Sequence, residues 1–88
     1  MYEFMELADR TAITHSDMRE DGTVKVCVER PVDGDMKTAY CNLPSYDWYD
    51  VYGFTAEELE ENRKIVESVA HIIIRLSRNG GFLNASGF

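Results

Sequence analysis

The sequence predicts an α+β fold: a small three-stranded antiparallel β-meander packed on one long C-terminal helix, all in a single domain. Three observations carry that expectation. Val24, Val26 and Val28 alternate with Lys25, Cys27 and Glu29, the period-two pattern of a half-buried strand. An Asp33-Gly34 pair separates that run from a second strand-like run, as a tight hairpin turn does. From Ala56 onward the apolar residues recur at helical spacing behind a recognisable cap.

The first nine residues fit either a short N-terminal helix or an edge strand, and the helix is preferred. Thr11 to Met18 reads as a first strand joined through Glu20-Asp21-Gly22-Thr23. A tight Asp21-Gly22 turn sets Arg19, Asp17 and His15 against the valines. A one-residue bulge sets Met18 there instead, which is the more sensible burial. Thr23 to Arg30 is the second strand and Met36 to Leu43 the third. A two-residue turn at Asp33-Gly34 pairs Val28 with Ala39, Val26 with Cys41 and Val24 with Leu43, all on one face. Lys25, Cys27, Glu29, Thr38, Tyr40 and Asn42 take the other face. A slip of one residue mixes the faces, so turn and pattern demand the same register.

The helix is expected over Ala56 to Arg78. Thr55-Ala56-Glu57-Glu58 is a capping box, in which the Thr55 hydroxyl accepts from the Glu58 N–H and the Glu58 carboxylate from the Thr55 N–H. Phe54 and Leu59 are placed as a hydrophobic staple, and Asn79-Gly80-Gly81 supplies a left-handed stop. Leu59, Val66, Val69, Ile73 and Leu76 share one face, widened by Ile65, Ala70, Ile72 and Ile74. That arc exceeds the roughly 100° needed to pack on one surface. The helix therefore touches a sheet and something else: the N-terminal segment, the tail or another subunit.

The chain has 88 residues, enough for one modest core, and 44% of them are hydrophobic, which suits a folded chain. Nine Lys and Arg stand against sixteen Asp and Glu, a net charge of −7. That balance argues against direct binding to nucleic acid or to anionic lipid, both of which need clustered cations. No basic stretch followed by an apolar run opens the sequence, and no run approaches the ~18 apolar residues of a membrane span. With two cysteines, this points to a reducing cytoplasm.

Residues for catalysis are not apparent. Cys41 is expected in the core and Cys27 on the opposite face, which separates the thiols and disfavours a disulfide or shared metal. His71 is explained as a solvated partner of Glu67, one helical turn away. There is no nucleophile elbow and no glycine loop ahead of a helix. No cofactor, metal or enzymatic activity is expected.

The stretch from Pro44 to Asn62 stands apart. Tyr46, Trp48, Tyr49, Tyr52 and Phe54 place five aromatics in nine residues. Six acids and no base occur from Pro44 to Asn62, whereas four bases and one acid follow from Arg63 onward. Part of this asymmetry serves the helix macrodipole. The remainder suggests a partner-binding surface formed by Tyr46, Asp47, Trp48, Tyr49, Asp50, Tyr52, Glu57, Glu60 and Glu61. Tyr and Trp offer rigid contact area, and flanking carboxylates steer toward a basic partner. Basic clefts belong to nucleic-acid-handling proteins, so the expected function is inhibition or regulation of such a protein.

Leu43-Pro44 and Gly53-x-Thr55-x-Glu57-Glu58-x-x-Glu61-Asn62 resemble the HicB-type antitoxin fold, with Ser45 standing where that family has glycine. The resemblance implies neutralisation of a small RNA-cleaving toxin. Small acidic inhibitors of nucleic-acid enzymes, anti-CRISPR proteins among them, share the size and charge. The competing expectation is a homodimer or larger homo-oligomer formed through the wide apolar helix face and the tail residues Phe82, Leu83 and Phe88.

Overall fold

The computed structural model describes residues 1–78 of the chain. Six elements follow one another: β1 (Tyr2–Glu6), β2 (Ala12–His15), β3 (Val24–Val32), β4 (Asp35–Leu43), β5 (Asp47–Tyr52) and α1 (Ala56–Arg78). The strands form one antiparallel sheet in the order β1-β2-β3-β4-β5. The meander thus has five strands where three were expected, and α1 spans the expected residues. The expected helical stop at residues 79–81 lies outside the described residues.

The β3–β4 hairpin has the register the pattern demands. Val24 is paired with Leu43, Val26 with Cys41 and Val28 with Ala39, and all six are buried. Asp33-Gly34 makes the turn with Gly34 at φ 72°, a conformation glycine adopts without penalty. Helix α1 lies across β3 and β4 and buries Val66, Ala70 and Ile73 against that face.

The two additional strands correct the reading of both flanks. Residues 2–6 are a strand and not a helix. A β-bulge between Glu3 and Met5 breaks their alternation, which is why the sequence shows no clean period. Phe4 and Met5 both pack against the core despite being neighbours. In β5, three residue steps from Tyr49 to Tyr52 oppose two from Tyr40 to Thr38, so that strand is also bulged. Tyr46 before it and Asp50 within it have left-handed backbones, φ 61° and 50°.

Strand β2 settles the first hairpin. His15 is opposite Val26 and Ile13 opposite Val28, and both are buried. The chain then leaves the ladder, so Met18 also turns inward and packs on the core. Its N–H donates to the Ser77 carbonyl at 3.2 Å. The His15 Nδ1 donates to the Ser16 carbonyl at 2.9 Å, leaving a buried Nε2 without a partner. Tyr2 and Phe4 enclose this ring, with centroids 5.6 and 6.4 Å away.

The flanks of the wide apolar arc of α1 are partly buried at the edge of the core. Leu59, Ile65, Val69 and Ile74 join Phe4, Met5, Met18 and Trp48 around the central core. Truncating the centre, Ile73→Ala, is expected to cost about 2–5 kcal/mol of unfolding free energy, read from urea denaturation followed by circular dichroism.

The start of α1 is tied to the hairpin by charge. Arg30 and Lys37 are directly opposite each other on β3 and β4. Like charges so placed repel. Glu58 lies between them, accepting from Arg30 at 3.1 Å and from Lys37 at 2.9 and 3.0 Å. The same carboxylate accepts from the Thr55 N–H at 2.9 Å, while the Thr55 hydroxyl accepts from the Glu58 N–H at 3.1 Å, closing the capping box. Asp9 completes the set, 3.2 Å from the other Arg30 nitrogen. The Thr55 N–H and the Lys37 ammonium hold the Glu58 carboxyl down at about 2, from an ordinary 4.5. A depressed acid contributes stability that is complete above its unfolded pKa and lost as pH falls through the folded one. Glu58→Gln should therefore lower the melting temperature at pH 7. It should also flatten the loss of stability between about pH 4.5 and pH 2, as measured by thermal melts across that range.

Candidate interaction surface on the helix-free sheet face

Strand alternation divides the sheet into two faces, and α1 covers only one. Cross-strand rows set out the other. Glu3, Thr14, Cys27, Tyr40 and Tyr49 form one row, Glu6, Ala12, Glu29, Thr38 and Tyr52 a second, and Lys25, Asn42 and Asp47 a third. Among the described residues, no element covers this face.

The structure does not bring the nine expected binding residues together. Asp47, Tyr49 and Tyr52 are on the helix-free face, opposite Asn42, Tyr40 and Thr38. Tyr46 is exposed in the turn ahead of β5, and Asp50 is exposed at the bulge. Trp48 is opposite the core residue Cys41, so it belongs to the helix side. It is half-buried against the core, and its indole N–H is shielded without a partner. Glu57, Glu60 and Glu61 are exposed on α1, on the far side of the sheet. Glu60 is already bound to Arg63, which holds its carboxyl below the usual range. One flat partner cannot cover both acidic sets.

The compact part of the site is aromatic. Tyr40 and Tyr49 stack with centroids 5.7 Å apart and planes 22° from parallel. The Lys25 ammonium lies 4.5 Å from the Tyr40 centroid. The Tyr49 hydroxyl donates to the Asn42 side-chain oxygen at 3.3 Å, and Arg19 donates to the same oxygen at 2.8 Å. Tyr52, 56% exposed, donates its hydroxyl to Asp35 at 3.0 Å, and this bond raises its pKa. Ser45 donates to Asp47 at 2.8 Å. Gly53 ends the segment at φ 85°. A Cβ there would come 3.0 Å from Lys37 Cγ, so only glycine lets the chain pass Lys37 on its way to the helix.

Sequence reasoning missed Tyr40 as part of this surface. The hairpin register already put it on the non-core face. The missing signal was β5, whose bulge hid the strand that brings Tyr49 beside it.

The two thiols are separated and held in their neutral form. Cys27 and Cys41 are both free, both buried, and on opposite faces. Burial pushes the Cys41 thiol to about 12, and burial with nearby Glu29 raises that of Cys27. Glu67 pairs with Arg63, not with His71 as expected. Among the described residues there is no cluster of three or more metal-ligating side chains, and no helix is long and apolar enough to cross a membrane.

No protein-family model matches the chain, and no curated protein or solved structure is significantly similar to it. The HicB-type resemblance therefore rests on its motif residues, which here form a capped helix start.

Trp48 is the one tryptophan, so intrinsic fluorescence reports its placement alone. Its emission should be blue-shifted and weakly quenched by acrylamide in the native protein, moving to the red on unfolding. A red-shifted, freely quenched native signal would put the indole on the outside.

Proposed function

We propose that this chain is a non-enzymatic binding protein. It inhibits or regulates a basic, nucleic-acid-handling protein by occupying its surface, as an antitoxin or an anti-CRISPR protein does. The observation that carries this reading is the helix-free face, where Tyr40, Tyr49 and Tyr52 stand beside Asp47 and Asp50 in a chain of net charge −7. Rigid aromatic area flanked by carboxylates suits a basic partner. The same charge repels nucleic acid, so the two compete for one cleft.

The contact set contracts to Tyr40, Tyr46, Asp47, Tyr49, Asp50 and Tyr52. Glu57, Glu60 and Glu61 add to the long-range field that steers encounter. Trp48 supports the surface from beneath. Of the apolar helix arc that suggests a homo-oligomer, Leu59, Ile65, Val69 and Ile74 pack partly buried against the core, Ile72 is partly exposed, and Phe82, Leu83 and Phe88 lie outside the described residues.

The test is a titration against basic nucleic-acid-handling proteins, RNA-cleaving toxins and nucleases first. Binding should weaken as salt rises and should displace the bound protein's nucleic acid. Asp47→Lys combined with Asp50→Asn should weaken it about tenfold or more, with the fold retained; Asn tolerates the left-handed backbone at position 50. Unchanged affinity in that double variant sinks the proposal.

A further inference from the structure

Across the helix-free face the order of groups is ammonium, ring, ring. Lys25 lies on one side of Tyr40, and Tyr49 stacks from the neighbouring strand. Beyond Tyr49 the sheet ends, because β5 is an edge strand. Asp47 is on the same face two residues earlier, and Asp50 follows Tyr49 directly at the bulge. The Asp47 side chain accepts only from Ser45 among the described residues, which leaves acceptor sites open on a carboxylate. Asp50 is exposed and has no hydrogen bond or ion pair among the described residues.

We infer that the outer side of Tyr49, between Asp47 and Asp50, receives an arginine side chain of the partner. This rests on the binding role proposed above and names the group that role selects. A ring face attracts a cation through its quadrupole. A guanidinium is flat enough to stack on tyrosine while sending two parallel N–H bonds to a carboxylate, and an ammonium cannot do both. Lys25 on Tyr40 shows that this stack already takes a cation of the chain itself. An arginine on Tyr49 would set a cation at the outer end of the ring pair, as Lys25 does at the inner end.

The probes are an octa-arginine and an octa-lysine peptide, equal in length and charge. Affinity is measured by calorimetry at low and physiological salt, and contact is mapped by nuclear magnetic resonance. The arginine peptide should bind about threefold to tenfold more tightly and should shift the Tyr49 ring signals. Tyr49→Leu keeps apolar area but removes the ring, and should abolish that preference. Asp50→Asn, at an exposed position, should weaken the arginine peptide more than the lysine peptide and does not depend on the ring. Circular dichroism checks that both variants fold. Equal affinity for the two peptides, or a preference that survives Tyr49→Leu, overturns the arginine seat. If equal binding is still lost in the Asp47 and Asp50 double variant, the acidic-surface reading stands without it. If neither peptide binds at low salt, both fall.

Discussion

One carboxylate ties the start of the helix to the central hairpin. Arg30 and Lys37 would push β3 and β4 apart at the point where the hairpin leaves the helix. Glu58 lies between them and also closes the cap of α1. Helix start, hairpin and first turn are therefore fixed by a single side chain three residues into the helix. Its register on α1 decides which helical residues meet the valine face, and so places Val66, Ala70 and Ile73 in the core. Gly53 serves the same constraint, because a side chain there would displace the Lys37 that Glu58 binds.

With the helix committed to one face, the other is left to polar and aromatic side chains. The two are not alike in chemistry. The covered face is mostly valine, alanine, leucine and isoleucine, with Cys41 and His15 on the Val26 row. The helix-free face holds a buried thiol at Cys27 beneath tyrosines whose hydroxyls and rings engage Asn42, Asp35 and Lys25. Its groups are held in place by one another, so their side chains are already ordered.

The regular parts of the fold were legible in the sequence, and the irregular parts were not. The β3–β4 register followed from three valines and an Asp-Gly turn. The full extent of α1 followed from a capping box and a helical period. Strand β5 was not anticipated, and β1 stood only as the less favoured of two alternatives, because each carries an extra residue that erases the period-two signal. The left-handed positions are Tyr46, just before β5, and Asp50 within it, and a tyrosine gives no warning of that backbone. The candidate site suffered the same way. In the sequence Tyr46 to Tyr52 shows no clear period. Only the strand could show that Trp48 turns inward while Tyr49 and Tyr52 turn outward. The helix glutamates joined the set through sequence proximity, and the sheet separates them from it in space.

The bulges in β1 and β5 fall on the two outermost strands. A flat outer strand offers a row of unpaired N–H and C=O groups that a second molecule can extend, sheet onto sheet, without limit. Here each rim is twisted and its repeat broken by one surplus residue, at Phe4 and near Asp50. Carboxylates at Glu3, Glu6, Asp47 and Asp50 add repulsion along both rims. The chain can thus carry exposed tyrosines on an open sheet without a template for fibrous stacking. A broken rim of this kind opposes sheet-to-sheet addition while leaving the faces of the sheet accessible.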